Sequence, residues 1–160
     1  MPSPHSPKQN YLLAALPAAD YARLLPHLEL VSMPLGWSLY DAAGRLRYAC
    51  FPTTSIASLL YATEDGASSE IASIGNEGLI GTSLFMGGED TPSRAVVQSA
   101  GNGYRIKAGV LQREFALGGN LQHLALRYTQ ALITQMAQTA VCRLPLTANF
   151  STPYWMTGFT

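Results

Sequence analysis

Gly81 and Arg94 are the residues whose types and spacing are best suited to chemistry. They lie in the run Gly75 to Val97, GNEGLIGTSLFMGGEDTPSRAVV: a glycine-punctuated turn, a short apolar segment, a polar loop and an arginine opening a strand. Glycine lets the backbone approach a ligand closely, and the amides after it can open a short helix. An arginine facing them supplies a fixed positive charge with a donor fork. Gly81, Thr82, Ser83, Arg94 and Ala95 therefore form a candidate anion cradle, with a phosphate or carboxylate as its ligand. Two plainer readings stand beside it. A bulge or tight turn accounts for Gly81 alone, and an ion pair to Glu77, Glu89 or Asp90 accounts for Arg94.

No catalytic residue is assigned, because no Ser/His/Asp or Cys/His set occurs at recognisable spacing. A cupin-type metalloenzyme would need histidines and a carboxylate clustered on adjacent strands. His5, His27 and His123 fall instead in the N-terminal segment and in two predicted helices, so no metal is expected. Iron–sulfur chemistry would need several clustered cysteines, whereas the chain has two, far apart. Haem through His123 is the remaining redox option. Cys50 and Cys142 match no ligand or redox spacing and read as two buried, reduced thiols.

With 160 residues, 48% of them hydrophobic, the chain can bury one sizeable core and reads as a single domain. Ten basic and ten acidic residues balance, and the arginines are scattered, so no surface for direct DNA binding is indicated. There is no basic stretch followed by a long apolar run, so no signal peptide or membrane span is expected and a cytoplasmic location is the default.

The elements that must hold the cradle follow from pattern. Residues 1–9 read as disordered. Asn10 caps a helix over Tyr11 to Leu16, and a second helix follows Pro17 with Asp20 as its cap. From Glu29 the chain turns to short runs rich in β-branched and aromatic residues, broken at Pro34-Leu35-Gly36, at Asp41 to Gly44 and at Glu64 to Gly66. SRAVVQSA and GYRIKAG alternate around Gly101-Asn102-Gly103, which predicts a hairpin. VLQREFAL begins a short helix that Gly118-Gly119 ends. Asn120 then caps a long helix, LQHLALRYTQALITQMAQTAVC, and residues 144–160 form an irregular tail.

The long helix carries two apolar stripes. One is Leu121, Leu124, Tyr128, Leu132 and Met136; the other is Leu126, Ile133, Ala137 and Val141. Either one domain's core covers both, or one packs on the β-domain and the other on a second copy in a parallel dimer. We take the first stripe as the dimer interface.

In this order the chain resembles the effector domain of the Crp/Fnr family of bacterial transcription regulators. The resemblance rests on LRYACFPTTSIASLL, similar to the family's aromatic-Pro strand element, on IASIGNEGLIGTSLFMGG, similar to its phosphate-cassette entry, on SRAVVQSAGNGYRIKA as exit strands, and on the long helix. It covers roughly residues 10–142. It implies a jelly-roll β-barrel of the cyclic-nucleotide-binding type over 10–119, with flanking short helices and a dimerisation helix over 120–143. It also implies a non-catalytic, ligand-responsive or vestigial sensing role.

Family members that bind nucleotide follow the cassette glycine with a glutamate for the ribose, and this chain has Thr82. They follow the arginine with a small hydroxyl residue, and this chain has Ala95; the loop between is also longer. Losing a charged hydrogen bond costs about 1.5–3 kcal/mol, about one to two decades of affinity, which weighs against cAMP binding at ordinary strength. The family continues into a winged helix-turn-helix, for which residues 144–160 are too few. The expected partner is a second copy, or a full-length relative with which the chain forms a heterodimer.

Overall fold

The computed structural model describes residues 4–40, 45–86 and 93–143. The N-terminal segment is more ordered than its composition predicts: Ser6 and Gln9 close a capping box around a 3-10 turn, Pro7–Gln9. Asn10 then caps α1 (Tyr11–Ala14), its Oδ1 accepting from the Leu12 and Leu13 amides. Helix α2 (Ala18–Leu24) starts directly after Pro17, whose fixed φ sets the entry. Asp20 is therefore in its first turn rather than at its cap. Arg23 and the Asn120 side-chain amide bind its carboxylate. Those bonds, Asn120 foremost, hold its pKa below the usual value.

Seven strands follow among the described residues: β1 (Glu29–Met33), β2 (Ser38–Tyr40), β3 (Tyr48–Pro52), β4 (Ile56–Ala62), β5 (Ser68–Ile74), β6 (Ser93–Ser99) and β7 (Gly101–Lys107). They form two antiparallel sheets, ordered β1-β7-β3 and β2-β6-β4-β5. Only β4 and β5 are both consecutive and paired, around a turn in which Gly66 takes φ +81. β5 to β6 returns within the same sheet past β4, and the other four connections cross between sheets, as in a jelly roll.

The predicted hairpin at Gly101-Asn102-Gly103 is one of these crossings. β6 and β7 do not pair; the chain changes sheet at Ala100, and all three residues lie inside β7. Their small size serves a close approach instead: a Cβ at Gly103 would lie 3.0 Å from the Phe51 carbonyl oxygen. Asp41 to Gly44, expected as a turn, lie outside the described residues.

Two cores result. Between the sheets Met33, Cys50, Ala57, Leu59, Ile74, Ile80, Ala95 and Val97 fill the sandwich. On the outer face of the three-stranded sheet, Ala49, Phe51 and Ile106 meet Leu13 and Leu24 from the N-terminal helices, Leu111 from α3 (Ala108–Ala116) and Leu121 from α4 (Asn120–Arg143). Strand β3 is covered on both faces, which is why Ala49 to Pro52 are all buried without alternation.

Helix α4 spans both cores. The stripe Leu121, Leu124, Tyr128, Leu132 and Met136, assigned from sequence to the dimer interface, packs on the chain's own domain. The second stripe is the free one: Leu126, Ile133 and Val141 are 47%, 46% and 68% exposed. Periodicity shows two faces but does not rank them, and here the more continuous stripe found the larger apolar surface. Among the described residues no helix is long and apolar enough to cross a membrane.

Cys50 is buried, and burial pushes its thiol up to about 12; Cys142, expected to be buried, is exposed on α4. A raised pKa favours the native state fully below the thiol's ordinary range and loses that contribution as pH rises through the folded value. Native protein at pH 8 should accordingly label with a thiol reagent at Cys142 alone, with Cys50 reacting only on unfolding. In a Cys142→Ser background, stability should fall as pH rises from about 9 to about 12, and Cys50→Ala should flatten that slope; both are read by denaturant melts.

Candidate functional site

The turn leaving β5 is held before it reaches Gly81. Gly78 N–H donates to the Gly75 carbonyl, and Glu77 accepts from the Gly75 amide at 3.1 Å. Ile80 then forms a bridge with Cys50 on β3, two hydrogen bonds of 2.8 and 3.0 Å. This tie delivers Gly81 with φ +113, and a Cβ there would lie 3.3 Å from Leu46 Cδ2 and 3.4 Å from Ala49 Cα. Glycine is thus favoured by conformation, in a space that Leu46 and Ala49 already border closely. Thr82, Ser83 and Leu84 make one 3-10 turn. It leans on α3, where Gln112 Nε2 donates to the Leu84 carbonyl at 2.9 Å and Phe85 stacks on Phe115 at 4.7 Å.

Arg94 does not join it. In β6 Ala95 and Val97 are buried in the sandwich, paired with Leu59 and Ala57 of β4. Arg94, in register with Leu60, lies one residue out of phase and is exposed on the opposite face. The cause is the two-residue period of a strand: an arginine directly before an inward Ala95 must point out. Of the five cradle residues, then, Gly81, Thr82 and Ser83 form one turn, Ala95 belongs to the apolar interior, and Arg94 faces outward. Glu89 and Asp90 lie outside the described residues, and Glu77 is engaged with Gly75.

A different arginine borders the interior. Arg105, on β7, sits across from Cys50 on β3 and Glu29 on β1. Its guanidinium lies 4.2 Å from the centre of the Tyr48 ring, and Nε–H donates to Glu29 Oε2 at 2.8 Å. With Val31, Trp37, Leu39, Tyr40, Cys50 and Ile80 it bounds a cavity of only about 60 Å³ between the sheets. Sequence reading passed over Arg105 because no glycine-rich turn marks it. The available signal was alternation in GYRIKA, which sets Arg105 out of phase with Tyr104 and Ile106 on the helix-covered face.

The turn also touches α4. A Cβ at Gly78 would lie 2.7 Å from Tyr128 Cζ, so the tyrosine ring rests directly on the turn. Its hydroxyl is buried beside the Leu79 backbone at a geometry short of a hydrogen bond, and burial raises its pKa. Next to this contact runs a groove of about 450 Å³ between α4 and β5, bordered by Leu12, Ser73, Glu77, Leu124, Arg127 and Gln135. His27 ends a 3-10 turn and His123 lies on α4. Among the described residues no group of three or more His, Cys, Asp or Glu is placed to hold a metal.

These placements separate the two cradle residues by experiment. Gly81→Ala should cost about 1–2 kcal/mol, the strain of a left-handed non-glycine residue, whereas Arg94→Ala should change stability by less than about 0.5 kcal/mol, as exposed substitutions do. Urea melts of the two variants check both.

No protein-family model and no curated protein matches the chain. Solved structures do. A cyclic nucleotide-binding domain from Methylobacillus flagellatus aligns with TM-score 0.66 at 13% identity, covering 86% of this chain and 80% of that one. The sensor domain of the transcriptional regulator DNR from Pseudomonas aeruginosa aligns with TM-score 0.60 at 15% identity, over 88% and 92%. The N-terminal domain of a transcriptional regulator from Streptomyces coelicolor gives 0.58 at 18%, over 81% and 90%. The two antiparallel sheets with their flanking helices and the C-terminal helix thus have the cyclic nucleotide-binding domain fold.

Proposed function

We propose that this chain is the effector-sensing domain of a transcription regulator of the Crp/Fnr type, non-catalytic and cytoplasmic, and dimeric through α4. The observation that carries this reading is the seat of Tyr128 on Gly78. It joins the turn that leads into Gly81 to the helix that would pass a signal onward, so a ligand that shifts the turn must also work against α4. Direct DNA contact is not part of the proposed role.

The effector we propose is not cAMP held in the usual cassette. Thr82 offers no carboxylate to a ribose, Arg94 faces away from the sandwich, and Ala95 is packed among apolar side chains. A phosphate placed against Ala95 would therefore meet apolar atoms, and burying a charge without a partner is costly. Either another small anion is sensed, or the sensing function is vestigial.

For the dimer we propose the exposed stripe, Leu126, Ile133, Ala137 and Val141. Leu126, Gln130, Ile133 and Ala137 follow the alternating four and three spacing of a coiled-coil seam, and Val141 lies one turn further on. A second reading keeps this stripe and drops the ligand: an interaction module that pairs with full-length relatives.

Thermal shift against cAMP, cGMP, phosphorylated metabolites and inorganic anions tests the sensing role. Stabilisation by at least one small anion at millimolar concentration is expected, and a flat panel would leave only the vestigial and partner-exchange readings. Light-scattering mass tests the seam. Wild type should run as a dimer and Leu126→Glu with Ile133→Glu as a monomer that keeps its circular dichroism; a wild-type monomer that forms no heterodimer with full-length relatives would defeat the seam and both readings that use it.

A further inference from the structure

At the end of the three-stranded sheet where β1 and β3 begin and β7 ends lies a second cavity, of about 250 Å³. Pro26, His27, Leu28, Glu29, Tyr48, Arg105, Lys107 and Val110 line it. Arg105 and Lys107 bring two permanent positive charges, opposed by the single carboxylate of Glu29. His27 adds a ring nitrogen able to donate or accept. Register explains the convergence: Glu29 is opposite Arg105, and Tyr48 is opposite Lys107, so all four side chains leave the same face of the sheet.

Arg105 is oriented but not spent. Stacking on Tyr48 fixes its plane, and Glu29 takes the Nε–H. Among the described residues no other guanidinium hydrogen of Arg105 is in a hydrogen bond, which leaves its two terminal nitrogens for an oxyanion in bidentate geometry. The side chain is 32% exposed, so the fork is desolvated in part and still reachable. A volume somewhat below the usual range for drug-sized ligands fits a single-ring molecule.

We propose that this cavity binds a small organic oxyanion, a phosphate monoester or carboxylate on one ring, with the Arg105 fork on the oxyanion, Lys107 as its second charge and Tyr48 beside its apolar part. Glu29 orients Arg105 and, by its charge, weakens binding. The site is separate from the Gly81 turn. It supplies a ligand class for the sensing role proposed above, and rests on that role only for the consequence of binding.

The test is calorimetric titration at low salt with phenyl phosphate, benzoate and inorganic phosphate. At least one should bind wild type saturably. Lys107→Ala and Arg105→Lys should each weaken it by about tenfold, the cost of a lost ionic contact. Glu29→Gln, which keeps an acceptor for Nε–H, should tighten it several-fold, and Arg94→Ala should leave it within about twofold, as expected for a distant, exposed site. No saturable binding of any of the three anions overturns the proposal, as does binding that Arg94→Ala abolishes and Lys107→Ala spares. Hydrogen exchange along α4, with and without the bound anion, separates the two claims: binding at Arg105 with α4 unchanged keeps this site and removes the sensing role, while a response that depends on Arg94 does the reverse.

Discussion

The side-chain amide of Asn10 is the interaction on which the arrangement of the domain's helical end depends. It is fully buried and uses both ends. Oδ1 caps α1, while Nδ2 donates to the Pro52 carbonyl at 2.9 Å and to the Gly78 carbonyl at 2.8 Å. One residue thus fastens the first helix to the end of β3 and to the turn after β5, and the Tyr11 amide reinforces it by donating to Asn76 at 2.8 Å. Carbonyls buried at such a junction would each cost on the order of 1–3 kcal/mol if left alone. An apolar residue at this position could not replace it, and an aspartate would keep the cap while losing both donors.

From that junction the site follows. Asn10 holds the Gly75 to Leu79 turn from one side and Tyr128 rests on it from the other, so the Ile80 bridge to Cys50 and the left-handed Gly81 are set in place with no ligand needed. The glycine that looked like a mark of phosphate binding is accounted for by its left-handed φ in a turn that closes on Leu46 and Ala49. Charge has moved elsewhere in the same sandwich. The side chain that borders its interior is Arg105, held by Tyr48 and Glu29, and the position beside the outward Arg94 is given to Ala95.

Much of this was legible in the residues, and the failures share a cause. Asn10 was readable as a cap because its acceptor serves amides two and three positions on; its donors reach Pro52 and Gly78, across 42 and 68 residues, and no local pattern records that. Gly81 was readable as a special backbone position, but not whether a ligand or the turn itself called for it. Arg94 failed on phase: shifting a strand by one residue exchanges its faces, and SRAVV names the inward residue only once Leu59 is known to lie opposite Ala95. Gly101-Asn102-Gly103 carried the composition of a hairpin, yet β6 and β7 belong to different sheets, and the glycines serve a close approach to β3 instead. The two stripes of α4 were visible, and their assignment was reversed, because 3.6-residue periodicity says that a face is apolar and not what covers it.

That reversal bears on how the domain can respond. Leu121 belongs to the core beneath the N-terminal helices and Leu132 to the core between the sheets, with Tyr128 shared by both. A rigid slide of α4 would open apolar surface in both cores at about 25 cal/mol per Å² and is costly. On the β5 side the groove leaves about 450 Å³ beside the helix, so less packing holds α4 there. The half of α4 beyond Tyr128 carries Ile133, Ala137 and Val141, three of the four apolar residues of the outer stripe, so the seam proposed for a second copy lies mostly past the contact with Gly78.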